Sequence, residues 1–538
     1  MRSGILLALA LSWPSADALY AQSSVWTSDT GKGTYVNPVL HADYSDPDAI
    51  RVGDDFYMTA SSFDAVPGLP ILHSKDLVNW ELVAHALPRQ SPFEHFEKVQ
   101  HGNGVWAPVI RYHNGEFYIY YPDPDFGIYL TKAKDPRGPW TSPELVIPGK
   151  GLIDPCPLWD DDGRAYLVHA YAGSRAGIKS VLVVRDMDSS GTAFSEGRLV
   201  YDGHQSDPTI EGPKFYKKDG YYYLFAPAGG VATGWQLVLR SKNVYGPYER
   251  KVVMDQGKSS VNGPHQGAWV DTPGGEHWFL HFQDKEAYGR VVHLQPMKWV
   301  NGWPVIGVDR DGDGKGEPVL EFRKPDIKSV QRIVSPPESD EFNSITMGLQ
   351  WQWQANPKAT WSFMNTASGT LRLYAQLSPP DAKNLWDIPN VLMQKFPAEE
   401  FIVTSRIEYT PTNKVVGEKA GLVIMGMSYA AMELKQTNTG VALCWVRCEQ
   451  ADKGSTEVVQ ELARYNGGPL YLKVVVKKEG ICEFSYSTDN QKYIPVPDKF
   501  KAIPGKWIGA KVGLYCTREQ SSNDAGFMDV DWFRITRK

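Results

Sequence analysis

Three acidic residues stand at equivalent-looking points of the chain: Asp46 in Ser45-Asp46-Pro47, Asp154 in Ile153-Asp154-Pro155, and Glu211 in Glu211-Gly212-Pro213. Each opens a short apolar stretch that reads as the first arm of a hairpin, an odd place for a charge unless it has work to do. Paired carboxylates suit general acid–base chemistry, in which a protonated one assists a leaving oxygen and an ionised one acts on water or on the reacting carbon. A third carboxylate raises the acid's pKa by like-charge repulsion. In aromatic surroundings this set fits glycoside hydrolysis, since sugar C–H faces rest on rings and the bond to be broken needs both an acid and a base.

The elements that must bring these acids together are legible as a repeat. "SDPDAIRVGDDFYMTAS" (45–61), "VWAPVIRYHNGEFYIYY" (105–121), "IDPCPLWDDDGRAYLVHA" (153–170), "TIEGPKFYKKDGYYYLF" (209–225) and "PHQGAWVDTPGGEHWFLHF" (264–282) share one form. A special residue and a Pro or Gly precede a short apolar strand, a Gly/Asp/Asn turn and an aromatic-rich strand. With Asp46, Trp106, Asp154, Glu211 and His265 as markers the steps are 60, 48, 57 and 54 residues. Outer segments recur as well, in "LHSKDLVNWE" (72–81), "LTKAKDPRGPW" (130–140) and "LRSKNVYGPYE" (239–249). A unit of this length with four strands is a propeller blade, so the chain predicts an all-β fold with a five-bladed β-propeller over residues 35–320. Inner strands of blades start near one axis, and the five markers are expected to converge there.

After "GVDRDGDGKGEPVLEF" (307–322) a Pro- and charge-rich passage marks a boundary near 320–337. Strand-like segments then alternate with turns at 369–377, 401–409, 420–426, 470–487 and 526–535, which predicts an antiparallel β-sandwich over 338–538. Lys and Arg number 56 against 62 Asp and Glu, a net charge of −6, so there is no basic footprint for nucleic acid. Apart from the N-terminus we find no apolar run long enough to span a membrane. The opening "MRSGILLALALSWPSADALYAQ" has the charge, apolar run and small residues of a cleavable signal peptide over 1–21, which implies a secreted or periplasmic protein. Of five cysteines, Cys444, Cys448, Cys482 and Cys516 cluster late, leaving room for one or two disulfides in the second domain with no pairing specified.

The ordered stretches "NPVLHADYSDPDAIRVGDDFY", "WAPVI", "LIDPCPLWDDDGRAYLV" and "IEGPKFY" together resemble glycoside hydrolase family 43, the five-bladed-propeller family of β-xylosidases and α-L-arabinofuranosidases. The resemblance covers the whole propeller, and the concanavalin-like sandwich is similar to that of the longer, xylosidase-type members. It implies an exo-acting, inverting hydrolase that removes xylose or arabinofuranose from hemicellulose oligosaccharides of xylan, arabinoxylan or arabinan type. Asp46 would be the general base, Glu211 the general acid and Asp154 the third carboxylate that tunes and orients it. Arg290 would reach the innermost sugar, Trp106 would shape the pocket, and His265 would contact water or a bound ion. Tyr44-Ser45 departs from the usual residues before the base, and with Asp43 and Asp48 nearby an alternative base is conceivable. A retaining invertase-like fructan hydrolase and a non-catalytic carbohydrate-binding propeller are the alternatives.

Phe63, Trp235 and Trp386 are candidate sugar-stacking residues, and "AKNLWDIPNV" (382–391) is the candidate loop lent by the sandwich to the pocket. No cofactor is expected for the chemistry. A structural calcium is an open expectation at Asp309, Asp311 and Asp313, which have the opening spacing of an EF-hand loop with Gly314 at the sixth position. The twelfth position is Leu320 rather than Glu, and a turn-rich acidic linker reads equally well.

Overall fold

The computed structural model describes residues 25–328, 332–412 and 415–538. The proposed signal peptide lies outside the described residues. Five four-stranded antiparallel sheets follow one another in sequence, spanning 48–87, 109–148, 152–202, 214–254 and 265–306. Within each, strands are in sequential order, so every blade is a continuous meander. Buried clusters fill the spaces between blades; one runs from Val109 and Tyr120 through Cys156 and Val168 to Leu224 and Leu239. This is how a propeller protects its edges, because each sheet covers the next.

Among the described residues no strand is exchanged between the first and last blades. The segment before blade 1 instead lies against blade 5. The Asn37 side chain donates to Leu294 O and Val319 O (2.8 Å each) and accepts from Leu294 N–H, while Tyr35 OH donates to Leu294 O. Thr34–Val36 also pairs with Glu321–Arg323, which fastens the two ends of the propeller beside each other.

The remainder forms two eight-stranded sheets. Predicted strands appear where expected, as Phe401–Thr410, Lys419–Met425, Leu470–Lys477, Ile481–Ser487 and Phe527–Thr536. Alternate residues of Leu470–Lys477 are buried and half-buried, the period-two pattern of a sheet with one face on a core. The expected disulfides are absent: all five cysteines are buried free thiols. Cys516 and Cys482 fill the core between the sheets, where a small apolar side chain suffices. That core does not stop at the domain boundary, since Ala287, Tyr288 and Val291 of the propeller belong to it.

Candidate active site

At one mouth of the propeller Asp46, Asp154 and Glu211 line a single cavity of about 120 Å³ with Phe63, Trp106, Ala107, Ile153, Val231, Gln266, Arg290 and Trp507. The three acids come from three blades, so only ring closure brings them together. Local backbone aims them. Asp46 and Asp154 adopt positive φ (54° and 57°), as do Gly212 (58°) and Gln266 (40°). The inner strands of blades 3 and 5 carry register shifts between Ile153 and Cys156 and between His265 and Gly267. Such kinks re-aim a side chain at the cost of local strain, and they concentrate at functional sites.

These dihedrals correct the equivalence expected among the five markers. By positive φ or by the proline that follows, the matching positions are Asp46, Ala107, Asp154, Gly212 and Gln266, and Trp106, Glu211 and His265 stand one residue earlier. The prolines after Asp46, Asp154 and Gly212 carried that signal in the sequence. Glu211, longer than Asp, reaches the pocket from the earlier position. Gly212 turns its N–H onto Asp154 Oδ2 at 2.7 Å. A side chain there would be strained by φ and would meet Gln266 at 2.8 Å.

Each carboxylate has its own surroundings. Asp46 is buried and accepts from Ser45 Oγ (2.8 Å) and Ser61 Oγ (2.6 Å), with Arg290 Nη1 at 3.2 Å. Ser45 also accepts from Arg290 Nη1 at 2.9 Å, so the unusual residue before the aspartate ties Asp46 and Arg290 together. The neighbouring acids are otherwise engaged. Asp48 accepts from Ile110 N–H and Arg111 on the axis below, and Asp43 accepts from Arg290 N–H and Gly509 N–H. Asp154 is buried between the Gly212 N–H and the Gln266 amide (3.3 Å). Burial first, then the charge of Glu211, pushes its carboxyl up to about 7, against the pull of the Gly212 N–H and Lys214. Glu211 is the most open of the three, with a third of its side chain exposed and His265 Nε2 3.0 Å from Oε1.

The aromatic walls are partly as expected. Phe63 and Trp106 line the cavity, Phe63 at positive φ and Trp106 held by an Nε1–H bond to Gly102 O. Trp235 does not line it. That indole lies in a separate cleft with Asp255, Asp311 and Asp313, near Asp207 Oδ1 at 3.4 Å. Trp386 stacks on His101 at 3.5 Å and fills an apolar cluster, so 382–391 buttresses the pocket wall rather than lining it. The sandwich lends a different residue, Trp507. Its ring meets Trp106 edge-on at 6.2 Å and lies 5.9 Å from the Arg290 guanidinium. Nothing in "PGKWIGAK" distinguishes Trp507 from a core tryptophan; only docking of the two domains places it.

The Asp309, Asp311 and Asp313 carboxylates come within 4.8 Å of one another. Asp309 nevertheless accepts from Gly312 and Gly314 N–H, and Lys315 Nζ lies 3.0 Å from Asp313. A turn closed by its own backbone and a lysine accounts for these acids. Among the described residues no other such group occurs, and His265 belongs to none.

The family model described as "Glycosyl hydrolases family 43" matches residues 35–304, half of the chain. The chain belongs to glycoside hydrolase family 43. A second model, "Beta xylosidase C-terminal Concanavalin A-like domain", matches residues 339–536, which identifies the sandwich. A putative beta-xylosidase of Xylanibacter ruminicola is 40% identical over 91% of this chain and 87% of its own length. A non-reducing end alpha-L-arabinofuranosidase of Bacteroides ovatus, BoGH43B, is 29% identical over 93% of this chain and 94% of its own. The crystal structure of the family 43 protein BlXynB from Bacillus licheniformis superposes with a TM-score of 0.80 at 26% identity, covering 94% of this chain and 100% of that one. This family 43 chain is therefore a glycoside hydrolase, and the invertase-like and non-catalytic alternatives are set aside. Among the described residues no helix is long and apolar enough to cross a membrane.

Proposed function

We propose that the protein is an exo-acting, inverting pentosidase that releases terminal xylose or arabinofuranose from xylan-type oligosaccharides. The observation that carries this reading is the convergence of three differently solvated carboxylates on one small cavity walled by Trp106, Phe63 and Trp507. A pocket closed by an indole from the second domain suits one terminal sugar. The names of relatives on both the xylosidase and the arabinofuranosidase side support the substrate class.

In this mechanism Asp46 is the base. Two serine hydroxyls and Arg290 hold the carboxylate in place and leave it to activate a water beneath the anomeric carbon. Glu211, open to the pocket, gives its proton to the glycosidic oxygen, with Asp154 beside it as the third carboxylate that tunes and orients it. Attack and departure occur in one step, which needs base and acid far enough apart, roughly 6.5–9.5 Å, to admit the water. Arg290 is fixed by Ser45, Asp46 and Asp43 and is placed to bind sugar hydroxyls without moving. Secretion or periplasmic location remains the reading of residues 1–21 alone.

The two sugars differ by little in a pocket wall, where a methylene-sized change is worth about 1–3 kcal/mol. Side-by-side assays with aryl β-xyloside and aryl α-L-arabinofuranoside test the substrate, with proton NMR of the first-formed anomer. Hydrolysis of neither, or initial retention of configuration, overturns the proposal.

A further inference from the structure

Below the catalytic cavity the propeller axis is closed. Two residues on from Asp46, Ala107, Asp154, Gly212 and Gln266 stand Asp48, Val109, Cys156, Lys214 and Ala268, all of them buried. Arg111 spans this ring, with Nη1 on Asp48 at 2.6 Å and Nη2 on the Cys156 sulfur at 3.0 Å. Past the ring the inner strands run on to the far mouth of the propeller, where their last residues open a separate cleft. Every blade contributes three consecutive residues to it, from 49–51 in blade 1 to 269–271 in blade 5. Its volume is about 440 Å³, against about 120 Å³ for the catalytic cavity.

Aromatic rings line this cleft, and they are held in place. Tyr112 is 45% exposed. Trp159 is half-buried, with Nε1–H on Ser189 O at 3.1 Å and the His113 ring stacked on it at 4.4 Å. On blade 5 the half-buried Trp269 donates Nε1–H to His277 Nδ1 at 3.2 Å and meets Tyr216 edge-on at 5.1 Å. Rings fixed in advance lose little freedom when a ligand arrives. The cleft's charges are all satisfied within the protein. Arg51 binds Asp271 through Nε (3.2 Å) and Nη2 (2.8 Å), Arg111 binds Asp48, and Lys217 binds Asp160. Burial holds the His113 imidazole below its ordinary pKa, so it adds no charge at neutrality. The walls therefore offer apolar ring surface and hydrogen-bonding groups, but no free cation or acid for a charged ligand.

We propose that the far mouth of the propeller is a second carbohydrate-binding site, which takes an uncharged stretch of xylan chain while the catalytic cavity works on a chain end. Size, rings and charge each point to this occupant. The cleft lies within the range of about 300–1,000 Å³ usual for ligand sites, so it admits more than the single terminal sugar that suits the catalytic cavity. Sugar C–H faces match the rings of Tyr112, Trp159 and Trp269, and sugar hydroxyls match the paired ions between them. Chains carrying uronates would bring carboxylates to a surface whose cations are already paired. The choice of xylan rests on the substrate class proposed above. The buried ring around Arg111 separates the two mouths, so a chain bound here touches none of the reacting groups. It acts by holding polymer near the enzyme, which raises the effective concentration of chain ends.

The test measures depletion of the full-length protein onto insoluble, unsubstituted xylan in a Glu211→Gln background, which spares the polymer. Binding should persist when excess free xylose fills the catalytic cavity. Tyr112→Ala should weaken it by about tenfold, and Trp159→Ala by about the same factor. Polygalacturonate, a chain of uronates, should not bind. With Glu211 in place, Tyr112→Ala should keep kcat/KM on an aryl pentoside within about twofold of the wild type, because the two mouths share no partners. Tyr112 is an exposed position, so its variant decides the test if Trp159→Ala does not fold. Binding that free xylose abolishes, that Tyr112→Ala leaves unchanged, or that polygalacturonate shares overturns the proposal. An active pentosidase with no affinity for xylan overturns it too. An enzyme that cleaves neither aryl β-xyloside nor aryl α-L-arabinofuranoside instead overturns the substrate class on which the choice of xylan rests.

Discussion

At the scale of single residues, the three carboxylates differ in what surrounds them rather than in what they are. Asp46 is wrapped by donors, Asp154 is buried with two donors against two like charges, and Glu211 is half open beside His265. Replacing Glu211, the proposed proton donor, with Gln keeps the shape of the side chain, so kcat on an aryl pentoside should fall by about 10²–10⁴-fold with sugar binding retained. Steady-state kinetics and calorimetry with the free sugar check this. Asp154 also leaves a mark on stability. Its native pKa of about 7 lies above the ordinary 3.8, so folding takes up a proton between these values. Stability from this group is therefore fullest at low pH and declines as pH rises from about 4 to about 7. Asp123, raised to about 7 by burial, adds a decline of the same sign. Melting curves of Asp154→Asn should show a shallower decline across that window than the wild type.

At the scale of elements, the pocket depends on a clip between a propeller strand and a sandwich loop. Asp43 accepts Arg290 N–H with one oxygen and Gly509 N–H with the other, both at 2.9 Å. The approach is so close that a Cβ on Gly509 would meet the Gly289 nitrogen at 2.6 Å. One buried carboxylate thus sets the distance between Arg290 and the loop bearing Trp507. Asp43→Ala leaves two buried N–H groups unpaired, a loss of about 2–5 kcal/mol on the usual cost of such groups. A lower denaturation midpoint together with a raised KM is expected; a raised KM with unchanged stability would argue against the clip. The blade repeat was legible because Pro, Gly and aromatic residues recur at fixed offsets. The one-residue offset of Glu211 and His265 was harder to see, because chemical type misled where the proline register did not.

At the scale of the whole molecule, the sandwich is part of the enzyme and not an appended module. Its core includes Ala287, Tyr288 and Val291 of the propeller, and Tyr288 OH bonds Glu399 O and accepts from Gly480 N–H. Deleting 338–538 would expose this surface and remove Trp507. Activity on small aryl glycosides should then fall by at least about 100-fold, since one wall of the site goes with it. A propeller that kept full activity alone would show that the sandwich serves only to bind polysaccharide. Local pattern alone carried the all-β class, the five blades, the domain order and the three acids, because hairpin alternation and turn chemistry are short-range and repeat five times. The partners of those acids lie far off in the chain: Arg290 for Asp46, Gln266 for Asp154, Trp507 for the pocket. Closure of the ring and docking of the sandwich choose among chemically equivalent tryptophans and aspartates by burial and distance. That choice is made in three dimensions, which is why Trp507 emerges only from the fold.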